Sequence, residues 1–150
     1  MSDLRDLYQQ VILDHNRNPR NACRLEHANH QSNGFNPLCG DRITLYLEVE
    51  NGRVVGVGFE GSGCAISQAS ASMMTESIKG KTTDEALALF DKFREMVTGE
   101  GASTEVAAEL GKLTAFEGVS EFPARVKCAT LAWHTLAAAL RNEKDPVSTE

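Results

Sequence analysis

The region between residues 42 and 60 constrains the fold of this 150-residue chain more than any other part of its sequence. Apolar and polar residues alternate on both sides of an Asn51-Gly52 dipeptide, and a period of two places alternate side chains on one face of a strand. Asn-Gly favours the tight type I′ turn that joins two antiparallel strands. The apolar members of the two runs are Ile43, Leu45, Leu47 and Val49, then Val55, Val57 and Phe59. The sequence therefore predicts a β-hairpin over residues 42–60.

Segments with apolar residues at helical spacing surround this hairpin. They predict helices near residues 3–16, 65–79, 82–99, 103–110 and 124–141. We expect one short edge strand within the otherwise irregular residues 21–37, a connecting stretch at 111–123, and a frayed tail from about Glu143. The predicted fold class is α+β, with a small antiparallel sheet packed against four to five helices in a single domain over residues 1–150.

Length and charge narrow the function classes. A chain of 150 residues with 41% hydrophobic residues can build one ordinary core. Its formal net charge of −6 disfavours nucleic acid, because phosphate backbones are bound by clustered Lys and Arg. The first residues do not resemble a secretory signal, and no run approaches the roughly 18 apolar residues of a membrane span. We therefore expect a soluble, cytoplasmic protein that binds neither nucleic acid nor membrane.

Three of the four cysteines stand at the ends of predicted elements. Cys39 lies just before the hairpin, Cys64 lies at the loop-to-helix junction after it, and Cys128 lies about one turn into the last helix. A hairpin returns the chain to where it left, so Cys39 and Cys64 should emerge at the same end of the sheet. Reducing compartments keep thiols free, which disfavours a disulfide framework. Metal binding or sulfur chemistry and buried structural thiols remain the two alternatives.

Asp41 follows Cys39 across Gly40 and is close enough in sequence to serve the same ion. Three thiolates and one carboxylate satisfy a four-coordinate zinc site, in which the hard carboxylate is the unusual ligand. We therefore expect Asp41 to be the exchangeable ligand or the neighbour of one. Structural zinc sites usually have only Cys and His ligands, so a carboxylate among the donors points to a reactive site rather than a structural one.

Other polar residues near these positions are weaker candidates. Arg125 precedes Cys128 by three positions and shares its helical face, so Arg125 is the candidate for holding Asp41 or a persulfide anion. His134 follows Cys128 by six positions and faces elsewhere. We interpret Cys23 as a bystander thiol and His15 as a capping or surface residue. His27 and His30 are interpreted as loop residues.

Three sequence motifs together resemble a known family. They are Asn-Pro-Leu-Cys-Gly-Asp at residues 36–41, Gly-Ser-Gly-Cys-Ala-Ile-Ser at 61–67 and Phe-Pro-Ala-Arg-Val-Lys-Cys-Ala at 122–129. These resemble the three cysteine motifs of the U-type iron-sulfur assembly proteins, and residues 8–21 look like the first-helix signature of that family. The likeness is closer to the SufU type than to the IscU type. Lys127 stands where the IscU type has His, and residues 111–121 resemble an insertion of the SufU type.

This resemblance implies a zinc-bound sulfur acceptor that works beside a pyridoxal-phosphate-dependent cysteine desulfurase. It implies Cys39, Asp41, Cys64 and Cys128 as metal ligands, and downstream iron-sulfur scaffold or acceptor proteins as further partners. Cys39 lies in a loop beside Gly40, so we expect it to leave the metal and to receive the sulfur. A scaffold for a transient iron-sulfur cluster, holding iron on the same residues, and a plain zinc-stabilised interaction module are the alternatives. Whether the chain acts as an enzyme in its own right stays open.

Overall fold

The computed structural model describes residues 3–100, 104–143 and 145–149, and in these ranges it contains five α-helices and four β-strands. In chain order these are α1 (Asp3–Arg17), β1 (His30–Asn36), β2 (Asp41–Glu50), β3 (Arg53–Ser62), α2 (Ala65–Ile78), α3 (Thr83–Glu95), α4 (Thr104–Leu110), α5 (Pro123–Leu140) and β4 (Val147–Ser148). A π-helical turn, Met96–Glu100, follows α3, and a 3₁₀ helix, Gly111–Glu121, connects α4 to α5. The predicted α+β class is confirmed.

The hairpin supplies two strands of the sheet. Strands β2 and β3 pair antiparallel, and the turn between them has positive φ at Asn51 (53°) and Gly52 (74°), as a type I′ turn requires. The strand order is β3-β2-β1-β4, with β1 antiparallel to β2 and β4 parallel to β1. The hairpin therefore forms over the predicted residues, with one difference. Val54 rather than Val55 is buried, because the register shifts at Val55: Glu48 pairs with Gly56 and Val49 pairs with Val54.

Strand β1 and the C-terminal tail differ from the sequence expectation. The sequence predicts a short edge strand within residues 21–37 and a frayed tail from Glu143. In the structure β1 lies inside the sheet, because the two-residue strand β4 pairs parallel with Gly34 and Phe35. The backbone N–H of Thr149 also donates to the carbonyl of Phe35 at 3.2 Å. A two-residue strand is too short to leave a periodic pattern, so the sequence does not indicate this pairing.

The segment between α4 and α5 is more ordered than a connecting stretch. Its 3₁₀ helix buries Leu113, Phe116 and Val119, which are spaced by three residues. A 3₁₀ helix has three residues per turn, so side chains at this spacing line up on one face. That face packs on the core and explains why the segment is helical without an α-helical period.

Helix α5 lies at the centre of the packing between helices and sheet. Trp133 is fully buried and stacks on Phe93 with ring centroids 4.8 Å apart. The same helix approaches β1 closely at Gly34, where a Cβ atom would lie 2.2 Å from Thr135 Oγ1. This close approach lays the middle of α5 against β1, and Cys128, about two turns before Thr135, then lies against Asn36 at the end of the strand. Despite its length, neither α5 nor any other described helix is long and apolar enough to cross a membrane.

Candidate metal centre

Turns and helix ends meet at the end of the sheet where the hairpin opens. Cys39 lies in the turn between β1 and β2, and Cys64 follows β3 by two residues. The pairing of Arg42 with Ser62 closes the open end of the hairpin and brings these two cysteines to the same end of the sheet. Helix α5 brings Cys128 to the same place, because its first turns pack on β1.

Asp41 is fully buried and is held from two sides. Its Oδ1 accepts a hydrogen bond from the backbone N–H of Cys64 at 2.9 Å, and its Oδ2 accepts one from Nδ2 of Asn36 at 3.2 Å. Gly63 makes room for this arrangement, because a Cβ atom there would lie 2.3 Å from Asp41 Oδ1. The sequence places Asp41 in a loop, whereas the structure makes it the anchored first residue of β2. Of the two roles expected for Asp41, the neighbour of an exchangeable ligand fits this geometry.

Donor atoms of three residues form a tight group. Cys39 Sγ, a carboxylate oxygen of Asp41 and Cys128 Sγ all lie within 4.8 Å of one another. Exposure differs strongly within the group: Cys39 is exposed, whereas Cys128 is 2% exposed and Asp41 is 0% exposed. The site is therefore a buried pair of donors with one thiol open to solvent. Cys64 Sγ stands outside the 4.8 Å group and is half-buried beside it.

Local structure gives the two helical cysteines different environments. Cys64 is the N-cap residue of α2, and its Sγ accepts from the backbone N–H of Ser67 at 3.5 Å. The sulfur of Cys64 therefore faces the partial positive charge and the N–H groups of a helix N-terminus. Cys128 differs, because burial, together with hydrogen bonds to Asp41 and Cys39 and the nearby Cys64, raises the pKa of its thiol. A cation among these donors would reverse that penalty, since metal ligation deprotonates thiols.

The donor set fits zinc or an iron-sulfur cluster better than a hard cation. Thiolates select zinc and iron-sulfur clusters, whereas magnesium and calcium take oxygen donors almost alone. Cys39, Cys64 and Cys128 with Asp41 supply three soft donors and one hard donor, enough for a tetrahedral ion. When bound, zinc stabilises thiolates at neutral pH.

Arg125 does not hold Asp41 in this structure. Its side chain is exposed on the first turn of α5, and no ion pair with Asp41 is found in the described part of the chain. The carboxylate is instead satisfied by uncharged donors from Asn36 and Cys64. Of the two roles expected for Arg125, only the handling of an incoming anion remains a prediction.

The four histidines and Cys23 lie away from the centre. His15 is buried, at 2% exposure, with Nδ1 hydrogen-bonded to Ser72 Oγ at 2.8 Å, so the expected capping or surface role is wrong. His134 packs edge-on against Phe90 on the opposite side of α5. The other three residues are not members of the donor group. Cys23 and His27 are exposed, and Nδ1 of His30 is hydrogen-bonded to the Ala139 carbonyl.

Sequence reasoning missed Asn36, although it begins the first cysteine motif. Asn36 is fully buried and contacts both Asp41 Oδ2 and Cys128 Sγ through its side-chain amide. Residues 32, 34 and 36 of β1 face inward in alternation, so the period of two was available as a signal. The alternating segment was too short and too polar to be recognised as a strand.

Comparisons with known proteins agree with the fold and with the cysteine motifs. Residues 7–142 match the NifU-like N terminal domain family. The chain is 44% identical over 143 residues to the zinc-dependent sulfurtransferase SufU of Bacillus subtilis (strain 168), covering 95% of each chain. It is 42% identical over 142 residues to the iron-sulfur cluster assembly scaffold protein IscU of Streptococcus pyogenes serotype M1, covering 94% of this chain and 87% of the relative.

A solved structure gives the same result in three dimensions. The crystal structure of an iron-sulfur cluster assembly scaffold protein for the SUF system from Fervidobacterium islandicum AW-1 superposes with a TM-score of 0.82. It shares 39% sequence identity, and the match covers 87% of this chain and 94% of that one. Family match, identity and fold agree over nearly the same residues. The chain therefore belongs to the family of NifU-like N-terminal domains.

Proposed function

We propose that this chain is a zinc-dependent sulfur-transfer protein of iron-sulfur cluster biogenesis, in which Cys39 receives sulfur from a cysteine desulfurase. The observation that carries the proposal is the contrast within the donor group. Cys39 is exposed to solvent, whereas Asp41 and Cys128, within 4.8 Å of it, are buried. An exposed nucleophile beside two anchored ligands can meet a partner while the rest of the centre stays in place.

The chain's own residues divide the work of the transfer. The Cys39 thiolate attacks the terminal sulfur of the partner's persulfide, because the thiolate is the nucleophilic form. The partner's S–S bond breaks, the partner's cysteine leaves as a thiolate, and Cys39 becomes a persulfide, whose terminal S–H then loses its proton to solvent to give the anion. Gly40, with φ of +71°, forms the turn that presents Cys39 outward. Asp41, Cys64 and Cys128 stay in place as the other proposed ligands.

The expected partners follow from this chemistry. The donor is a pyridoxal-phosphate-dependent cysteine desulfurase, and the acceptor is a downstream iron-sulfur scaffold or another acceptor protein. The B. subtilis relative is named a zinc-dependent sulfurtransferase, which supports this assignment over a purely structural zinc module. The net charge of −6 argues against nucleic acid as a further partner. We expect the transfer to take place in the cytoplasm.

A second function, assembly of a transient iron-sulfur cluster, is supported by the same donors. Three thiols and one carboxylate provide fewer thiolates than a permanent four-cysteine cluster site, which suits a cluster that must leave. The S. pyogenes relative is named a scaffold protein. The exposed position of Cys39 favours transfer, because a cluster is better protected from water by buried ligands.

Metal and labile-sulfide analysis of anaerobically purified protein separates the two functions. One zinc per chain without sulfide supports transfer, whereas a coloured species that contains sulfide supports the scaffold. Cys64→Ser and Cys128→Ser should lower the zinc content. Cys23→Ser is the matched control, because Cys23 is an exposed thiol that, unlike Cys64, does not interact with Cys128. An equal zinc loss from Cys23→Ser would contradict the proposed ligand set.

A further inference from the structure

We propose that Asn36 is a positioning residue, whose amide fixes Asp41 and Cys128 as the permanent ligands of the centre and leaves Cys39 as the mobile one. The inference rests on the metal centre proposed above. It concerns a residue that is fully buried and is not itself a ligand.

The orientation of the Asn36 amide follows from its three contacts. Its Oδ1 accepts a hydrogen bond from the backbone N–H of Leu38 at 3.3 Å, so the NH₂ group points the other way. Nδ2 donates to Asp41 Oδ2 at 3.2 Å and to Cys128 Sγ at 3.4 Å. A carboxylate only accepts hydrogen bonds, which agrees with this orientation. Both amide hydrogens are therefore directed at proposed ligands.

The fold places Asn36 where it can reach both ligands. Asn36 is the last residue of β1 and pairs with Asp41, the first residue of β2, across the turn that carries Cys39. Two residues earlier, Gly34 lets α5 approach β1, which brings Cys128 against the Asn36 side chain. One amide thus joins two strands and one helix at the centre.

The contacts of Asn36 are unequal among the ligands. Its side chain donates to Asp41 and Cys128, whereas it meets Cys39 only through its backbone carbonyl, which accepts the Cys39 N–H at 3.3 Å. N–H donors stabilise negative charge on a carboxylate and on a thiolate, and they fix the direction in which each ligand atom points. The side-chain contacts of Asn36 therefore anchor the buried ligands and do not restrain the exposed Cys39 side chain.

The test uses cobalt(II) as a spectroscopic probe, because zinc(II) has a filled d shell and gives no such signal. Cobalt affinity is measured by competition with a chromophoric chelator, and the thiolate-to-cobalt charge-transfer band is recorded. Asn36→Ala should weaken cobalt affinity about 10- to 100-fold, the usual effect of losing an outer-shell partner. The band should move to lower energy, because a thiolate without its N–H donor releases electron density more easily.

Two further variants separate positioning from loop shaping. Asn36→Ser keeps an acceptor for the Leu38 N–H but is too short to donate to Asp41 and Cys128, so it should behave like Asn36→Ala. Asn33→Ala is the matched control, because Asn33 is on the exposed face of the same strand and its Oδ1 accepts from Thr44 Oγ1 at 2.7 Å. This control should leave both the affinity and the band unchanged.

Several outcomes would overturn the inference. Wild-type affinity and spectrum in Asn36→Ser would reduce Asn36 to a residue that shapes the loop. A lower cobalt affinity with an unchanged charge-transfer band in both Asn36 variants would lead to the same conclusion. So would Asn36 variants whose metal-free forms lack the circular dichroism spectrum of a folded protein. Wild-type protein that binds no cobalt and no zinc would instead refute the metal centre itself, and this failure is distinguishable from the other three.

Discussion

The backbone N–H of Cys64 donates a hydrogen bond to Asp41 Oδ1 at 2.9 Å and thereby joins the start of β2 to the start of α2. The contact passes through Gly63, whose missing Cβ leaves the space that the carboxylate fills. One hydrogen bond thus holds together Asp41 and Cys64, which are 23 positions apart in the chain. This junction determines where two of the four proposed ligands lie.

Gly63→Ala should disrupt this junction. The new Cβ atom would lie 2.3 Å from Asp41 Oδ1, at a residue whose φ of +152° already disfavours side chains. Overpacking of this kind costs about 1–3 kcal/mol, and we expect zinc affinity to fall in parallel. Urea unfolding and chelator competition measure the two effects. Gly118→Ala is the control, because no atom lies within 4 Å of its Cβ position, and it should change stability by no more than about 1 kcal/mol.

Asp41→Asn and Asp41→Ala should separate the effect of the Asp41 charge from the effect of its buried hydrogen bonds. The Asn variant keeps the shape and an acceptor for the Cys64 N–H but turns an NH₂ group toward Asn36 Nδ2. It should therefore lose less stability than the Ala variant and should bind zinc more weakly. The Ala variant leaves buried donors of Cys64 and Asn36 unsatisfied, which costs about 1–3 kcal/mol in the metal-free protein. Unfolding measured with and without zinc distinguishes them. Equal zinc binding by wild type and Asp41→Asn would exclude the carboxylate as a ligand.

His15 should make the stability of the fold depend on pH. Burial, partly opposed by the nearby Glu76, lowers the pKa of His15 below its ordinary value of 6.5. The unfolded chain therefore binds more protons in this window, so the contribution of His15 is fully present above about pH 6.5 and is lost as the pH falls through the folded value. His134 adds an effect of the same sign, because burial and Arg94 lower its pKa.

The free energy of unfolding in urea, measured at about pH 5.5 and about pH 7.5, tests this sign. Wild type should be less stable at the lower pH. His15→Gln should lose part of that difference, whereas His27→Gln, at an exposed position, should keep all of it. A wild-type protein that is more stable at the lower pH would contradict the assignment of a neutral buried His15.

Arg125→Ala should slow sulfur transfer while zinc is retained. Arg125 is exposed on the first turn of the helix that carries Cys128, and no ion pair engages it among the described residues. A free guanidinium near the centre can hold a persulfide anion, and losing one charge-assisted hydrogen bond corresponds to about tenfold or more in rate. Arg141→Ala, at the other end of α5, is the control. Equal rates in the two variants would remove Arg125 from the mechanism.

The fold was largely predictable where a local signal was strong. The alternation around Asn51-Gly52 predicts the hairpin, and Thr82 with Glu85 forms the capping box that starts α3. The 3₁₀ helix and β4 were not predictable in the same way. The first has a period of three, and the second is defined only by its pairing with β1. Such elements are fixed by tertiary contacts rather than by their own sequence.

The sequence indicates which proposed ligands come together more clearly than it indicates their environment. Hairpin geometry indicates that Cys39 and Cys64 emerge together, but it says nothing of the depth at which Asp41 lies. Asn36 escaped notice because an amide in a polar stretch has no spacing that distinguishes it from a turn residue. Its role depends on contact with Cys128, 92 residues away, which the packing of α5 on Gly34 creates.

The most direct test of the account asks which thiol receives the sulfur. The zinc-loaded protein is incubated with a cysteine desulfurase and free cysteine, and the persulfide is located by intact-mass analysis followed by peptide mapping. We predict one added sulfur atom on Cys39, absent from Cys39→Ala and unaffected by Cys23→Ser, because Cys39 is the exposed thiol of the donor group. A persulfide found only on Cys64 or Cys128, or full stimulation of the desulfurase by Cys39→Ala, would contradict the account.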